Sequence, residues 1–278
     1  MHHGMDKTPV PAEWQKHIDD WILALRAAGR SNQTVETREG WIRHVARGLA
    51  VAPFDVTYDD LLLFFGRAEW AKETRRSVYA TVRGFYRWAV ATGRTDNNPA
   101  TALPAIKPAP ALPRPVPDEV LREAVQCSDE RTTLILMLAV HAGLRRAEIA
   151  QIHANDLFKD LYGFSLIVHG KGGKRRIVPI DKALARRIST RANGGYLFPS
   201  ERGAHITPRH CGRLASAALP GNWTLHTLRH AFASRAYAAT SDLLAVQTLL
   251  GHSTPAVTQR YVLLPDARLR AVAESASA

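Results

Sequence analysis

Cysteine is nearly absent. Cys127 and Cys211 are the only two in 278 residues, they stand far apart, and neither belongs to a Cys-x-x-Cys pair. A disulfide framework and a zinc knuckle are therefore excluded, and a reducing compartment fits. Long apolar runs are missing too. The longest strongly apolar stretch, Leu134 to Val140, falls far short of the roughly 18 residues a membrane span needs. The N-terminus lacks the apolar segment of a signal peptide, so the expected location is cytoplasmic. Acidic side chains are in deficit, 25 against 37 Lys and Arg, for a formal net charge of +12. A folded chain with that imbalance is suited to a polyanionic partner, of which nucleic acid is the foremost.

What is present is enough for two domains, with 46% hydrophobic residues to bury. The charge is uneven: residues 1–113 carry 15 basic and 12 acidic side chains, and residues 114–278 carry 22 and 13. Between them, residues 104–117 hold six prolines in fourteen positions, with Lys107 and Arg114 among them. Proline fixes φ and removes donors, so this stretch reads as a semi-rigid linker. The expected division is a helical domain over 8–103, the linker over 104–117, and a second domain over 118–278.

In the first domain, apolar residues at three- and four-residue steps predict a helix from Pro11 to Ala28 that ends at Gly29. A second begins after Ser31, with Gly40 as a weak point. Thr57 with Asp60 resembles a capping pair for a short helix over Leu61 to Gly66. A fourth helix, about Thr74 to Thr92, turns Val78, Val82, Phe85 and Trp88 inward and distributes Arg75, Arg76, Arg83 and Arg87 elsewhere. These arginines are either a solvated face or phosphate contacts, and a nucleic-acid partner favours the second.

In the second domain, helices are predicted from Asp118 to about Cys127, from Glu130 to His141, over 181–191 and over 207–219. The run Gly143, Leu144, Arg145, Arg146, Ala147, Glu148 places an arginine where a left-handed glycine turn meets a helix start. By residue type alone Arg145 and Arg146 compete. The β-rich runs Phe164 to Val168 and Arg176 to Ile180 flank Gly170, Lys171, Gly172, Gly173 and Lys174, which predicts a hairpin with a mobile tip. A Walker loop is excluded, since its first glycine and its Ser/Thr are missing. Farther on, His226 and Arg229 lie one turn apart on a helix face, where a ring donor and a fixed cation can meet one anionic group. His252 follows Gly251, and Tyr261 stands nine residues later. His226 and His230 have the spacing of a helical zinc pair, but Thr227 stands where the hydrolytic motif has Glu, and a third ligand is not evident.

Taken together these segments resemble the tyrosine recombinases, the phage integrase family. Gly143-Leu144-Arg145 with Glu148 is similar to the family's first arginine box. The glycine-rich hairpin is similar to its lysine hairpin, and Gly195 to Ser200 also has a family counterpart. His226-Thr227-Leu228-Arg229-His230 is similar to its His-x-x-Arg box, and Leu250-Gly251-His252 followed by Tyr261 to its closing segment. The four N-terminal helices and the Asn98-Pro99 end resemble its core-binding domain. The resemblance selects Arg145 over Arg146. It implies a mainly α fold with a small β-hairpin, made of a four-helix core-binding domain and an α+β catalytic domain, the two closing on duplex DNA as a clamp. It also implies a catalytic set of Arg145, Lys171, His226, Arg229, His252 and the nucleophile Tyr261, with Glu148 and His230 in support. Lys174 and Arg175 are expected on the DNA side of the hairpin. Thr227 departs from the acidic residue that many members carry after the histidine.

The chemistry implied needs neither metal nor cofactor: two guanidiniums neutralise a phosphodiester, the tyrosine forms a 3′ phosphotyrosine, and Lys171 protonates the departing 5′ oxygen. Residues 265–278 are expected to form a tail helix that docks on a neighbouring subunit of a homotetramer on two DNA sites, or to end in a degradation signal. Partners would be a double-stranded core site and accessory bending or directionality proteins. Within the family, the integrase of a phage or mobile element is the favoured reading, beside a Xer-like or Cre-like resolvase of replicon dimers. A type IB topoisomerase and a non-enzymatic DNA-binding regulator stand as alternatives.

Overall fold

In a computed structural model, residues 8–49, 51–107, 114–201, 204–251 and 275 are described. The chain divides into two compact units, Met1–Pro110 and Ala111–Ala278.

The first unit is built from α1 (Ala12–Ala27), α2 (Asn32–Gly48), α3 (Tyr58–Arg67) and α4 (Lys72–Ala91). Each helix commits one stripe to a shared core: Trp14, Ile18 and Trp21 from α1, Ile42 and Val45 from α2, Leu61 and Phe65 from α3, and Val78, Val82 and Phe85 from α4. Burying each such side chain stabilises the bundle by about 1.5–3 kcal/mol before the entropy of ordering it is charged. Phe85 sits at the centre, 5.7 Å from the Trp14 ring and 5.6 Å from Trp21. α2 runs through Gly40 without a break, because tertiary burial of Val35, Ile42 and Val45 outweighs the roughly 1 kcal/mol propensity cost of one glycine. At the start of α3 the Asp60 carboxylate accepts from the Thr57 amide at 2.8 Å, and Thr57 Oγ1 accepts from the Asp60 amide at 3.2 Å.

The second unit comprises α5 (Asp118–Gln126), α6 (Glu130–His141), α7 (Arg146–Ala150), three short strands, α8 (Lys182–Ala192), α9 (Pro208–Ala218), α10 (Leu225–Thr240) and α11 (Leu243–Leu250). α6 is its axis. Leu134, Ile135, Leu136, Leu138 and Ala139 are all fully buried, the signature of a helix enclosed on every side. α5, α7, α8, α9 and α10 pack around it. The strands β1 (Leu157–Lys159), β2 (Phe164–His169) and β3 (Arg175–Ile180) form an antiparallel sheet in the order β1-β2-β3, with His169 opposite Arg175 and Ser165 opposite Pro179. The hairpin expected between β2 and β3 is present. β1 is an addition: three residues are too short to show an alternating pattern.

No helix among the described residues is long and apolar enough to cross a membrane. The expected tail helix lies outside the described residues, apart from Ser275.

Candidate active site

Three segments reach the C-terminal end of α11: the turn after α6, the opening of α10 and the β2–β3 hairpin. The first follows α6. Gly143 takes φ 64°, and a Cβ there would stand 2.5 Å from the Phe232 ring and 3.1 Å from Leu250, so only glycine lets this turn press against α10 and α11. That turn delivers Arg145 to the residue before α7. Its backbone amide donates to Glu148 Oε2 at 2.8 Å and its Nη1 to Glu148 Oε1 at 2.8 Å, while Nη2 donates to Gly251 O at 3.3 Å. The Arg145 side chain remains 42% exposed and the Glu148 side chain only 3%.

The second turn opens α10. Thr227 Oγ1 accepts from the Thr224 amide at 2.9 Å, closing the helix start with a hydroxyl where an acidic side chain would serve the same purpose. One turn on, Arg229 is buried and donates to the carbonyls of Gly143 and Leu250. Its Nη1 also lies 3.7 Å from Glu148 Oε2. His226 is exposed on the same helix, and its ring meets that of His230 edge-on with centroids 4.3 Å apart.

The third turn is the β2–β3 tip, a short 3-10 turn over Lys171–Gly173 in which Gly172 and Gly173 take φ of 75° and 74°. Lys171, Lys174 and Arg175 are exposed on it. The next residue, Arg176, has no catalytic role assigned to it from the sequence, yet its side chain is held both on Glu148 and on α11. It forks onto both Glu148 oxygens at 2.8 and 2.9 Å and donates Nε to Leu249 O at 2.6 Å.

Glu148 is thus the hub of Arg145, Arg176 and Arg229. Burial pushes its carboxyl up, but the Arg176 fork, the Arg145 amide and the two positive charges outweigh this, and its pKa falls below the usual value. The same three arginines reach three successive carbonyls at the end of α11: Arg176 takes Leu249, Arg229 takes Leu250 and Arg145 takes Gly251. Gly251, at φ 61°, turns the chain towards His252. His252 and Tyr261 lie outside the described residues. Among the described residues, no cluster of three or more His, Cys, Asp or Glu side chains has metal-binding geometry.

In the helical unit, Arg76, Arg83 and Arg87 of α4 line one face of a cavity of about 800 Å³. Arg38 of α2 and Arg30 of the connection between α1 and α2 also line it, with Trp21, Tyr79 and Trp88 as its aromatic walls. Arg83 also donates to the carbonyls of Ala100 and Leu103, while Arg76 pairs with Glu73 at 2.7 Å. Arg75 is placed elsewhere: it donates to Phe65 O and Ala68 O at 2.6 Å each, tying α4 to the end of α3. Arg30 and Arg38 were missed in the sequence because their face is shared between two helices. Burial and the charge of Arg30 hold the Arg38 pKa below the usual guanidinium range.

Residues 117–268 match the model of the phage integrase family. The chain is 34% identical over 243 residues to tyrosine recombinase XerC of Pseudomonas fluorescens, covering 80% of this chain and 81% of that one. Tyrosine recombinase XerC of Azotobacter vinelandii is 34% identical over 217 residues, 72% of each chain. Among solved structures, a lambda integrase dimer bound to a COC′ core site aligns over 88% of this chain and 76% of its own, with TM-score 0.71 and 22% identity. The XerH site-specific recombinase bound to a difH substrate aligns over 94% and 84%, with TM-score 0.64 and 18% identity. At those identities the structures speak for the fold, and the sequence matches carry the family. With the arginine–glutamate hub in place, the chain belongs to the phage integrase family of tyrosine recombinases, enzymes that cut and rejoin DNA.

Proposed function

We propose that this recombinase cuts a specific duplex site through Tyr261 and rejoins it after strand exchange, in the manner of a Xer-like resolvase of replicon dimers. The observation that carries the chemistry is the convergence of Arg145 and Arg229 on Glu148 at the turn leading into His252. The Tyr261 phenolate attacks phosphorus, the bond to the 5′ oxygen breaks, and Lys171 supplies the proton that oxygen takes up. The 3′ phosphotyrosine keeps the energy of the phosphodiester. Attack by the 5′ hydroxyl of the other strand reverses the step without a nucleotide cofactor.

Arg145 and Arg229 neutralise the non-bridging oxygens as charge gathers there, and removal of either costs about 10²–10³ in rate. His252 donates to the same oxygens, His226 assists proton removal from Tyr261, and His230 supports His226. In this reading residues 8–103 are the core-binding domain, 104–117 the linker and 118–278 the catalytic domain. The arginine-lined face of α2 and α4 meets DNA phosphates, with Lys174 and Arg175 adding contacts from the hairpin.

Resolution is favoured over phage integration because the XerC of Pseudomonas fluorescens matches over about four fifths of both chains at 34% identity. The lambda likeness bears on fold alone. In this reading the chain works as a homotetramer on two sites; a solved lambda integrase is a tetramer bound to a Holliday junction.

The test is incubation of wild type and Tyr261→Phe with nicked DNA carrying the site, followed by a denaturing gel. A covalent adduct at one discrete position, missing in Tyr261→Phe, is expected. Adducts scattered over any DNA would indicate a topoisomerase, and specific binding without adduct a regulator. Junctions confined to circular dimers would support resolution, and junctions between an element and a chromosome would support integration.

A further inference from the structure

Arg176 has all three guanidinium nitrogens committed, two to Glu148 and one to Leu249 O, and its side chain is 11% exposed. Its stem lies against Gly251, where a Cβ would stand 3.1 Å from Arg176 Cδ and Nη1. One side chain therefore joins the strand after the Lys171 hairpin, the hub carboxylate, and the turn that leads to His252.

We propose that Arg176 is a positioning residue for strand cleavage: by filling one side of Glu148 and clasping the end of α11, it keeps the Arg145 guanidinium directed at the scissile phosphate. This rests on reading Arg145 as a phosphate ligand. A carboxylate offers about four lone-pair sites. Here they are taken by Arg145 Nη1, the Arg145 amide and the two Arg176 nitrogens. Without the Arg176 fork, half of that shell is vacant. Glu148 then rotates onto Arg145 and pairs with it bidentately, withdrawing donors from the anion, and Leu249 O loses its partner. A lysine cannot replace the fork, because one ammonium on a flexible stem does not span two oxygens and a carbonyl in a fixed plane.

The experiment is single-turnover cleavage of nicked DNA by wild type, Arg176→Met, Arg176→Lys and Arg145→Ala. Each is assayed on an ordinary scissile phosphodiester and on a methylphosphonate at the same position. Arg176→Met is expected to cleave the phosphodiester about 10²-fold more slowly, with half-saturating DNA moved less than about threefold. Arg176→Lys is expected to stay within tenfold of Arg176→Met. The methylphosphonate has no negative charge to hold, so on it the ratio of wild type to Arg176→Met should shrink towards one. Both substrates meet the same enzyme, so a partly folded variant loses equally on both.

Equal loss on the two substrates would reduce Arg176 to a stability role and overturn the proposal, as would wild-type cleavage by Arg176→Met. If Arg145→Ala cleaves the phosphodiester like wild type, the phosphate-ligand reading falls and the proposal with it. If Arg145→Ala is impaired and Arg176→Met is not, only the proposal falls.

Discussion

Replacing Gly143 by alanine tests the turn on which the arginine hub rests. Its φ of 64° lies in the left-handed region, which costs an L-residue about 1–2 kcal/mol. The new methyl would also stand 2.5 and 2.8 Å from two Phe232 ring atoms and 3.1 Å from Leu250, an overpacking worth about 1–3 kcal/mol. The expected loss is about 2–5 kcal/mol, a large part of the roughly 5–15 kcal/mol that holds a domain together. Gly194→Ala is the internal control. It has φ 82° in the same unit with nothing within 4 Å of the added methyl, so it carries the conformational cost without the packing cost. The chain has two units and need not unfold in one step. The assay is therefore native-state hydrogen exchange at the α6 amides, whose opening reports on the second unit alone. A loss for Gly143→Ala no greater than that for Gly194→Ala would refute the close approach of Phe232. Since the Gly143 carbonyl also holds Arg229, adduct formation should fall as well.

Three further outcomes follow from charge and burial. The folded pKa of Glu148 is depressed from its usual 4.5, so its stabilising contribution is complete above that value and is lost as pH falls through the folded pKa. Glu148→Gln should therefore flatten the fall in stability below about pH 4.5, while costing about 3–5 kcal/mol at neutral pH by leaving three arginines without their carboxylate. Burial pushes the Cys211 thiol up to about 12, whereas Cys127 is exposed. An aromatic disulfide reagent should accordingly titrate one thiol in the native chain and both after denaturation. For the helical unit, Arg38→Ala and Arg87→Ala should each lower the slope of log affinity against log salt by about 0.9, read by fluorescence anisotropy with duplex DNA. An unchanged slope would remove that residue from the DNA face.

Much of the fold was legible because the helices announce their ends. Thr57 with Asp60 and Gly29 after α1 are local signals that the structure uses as local bonds. The hairpin was legible from Gly172 and Gly173 between two β-rich runs. Contacts distant in sequence were hidden. Arg176 reads as one more cation in a basic strand, and only folding brings it to Glu148, 28 residues earlier, and to Leu249, 73 residues later. Arg75 hides a contact of the same kind: its place among α4 arginines suggests a phosphate ligand, and the sequence does not show that the chain turn after α3 also brings two carbonyls to it. Thr227 departs from the family pattern, and the start of α10 shows a hydroxyl filling that position.

The position of β3 at the rim of the sheet has a bearing on solubility. A rim strand offers unpaired backbone groups to any passing extended chain, and six residues is length enough to nucleate intermolecular pairing. Here Pro179 has no N–H to offer, and the exposed Lys174 and Arg175 place positive charge at the other end. Like charges facing one another would repel a second copy of the same strand. The exposed charges of the hairpin therefore also guard against edge-to-edge aggregation. Neutralising Lys174 and Arg175 together should make the protein prone to precipitate even where its unfolding temperature is unchanged.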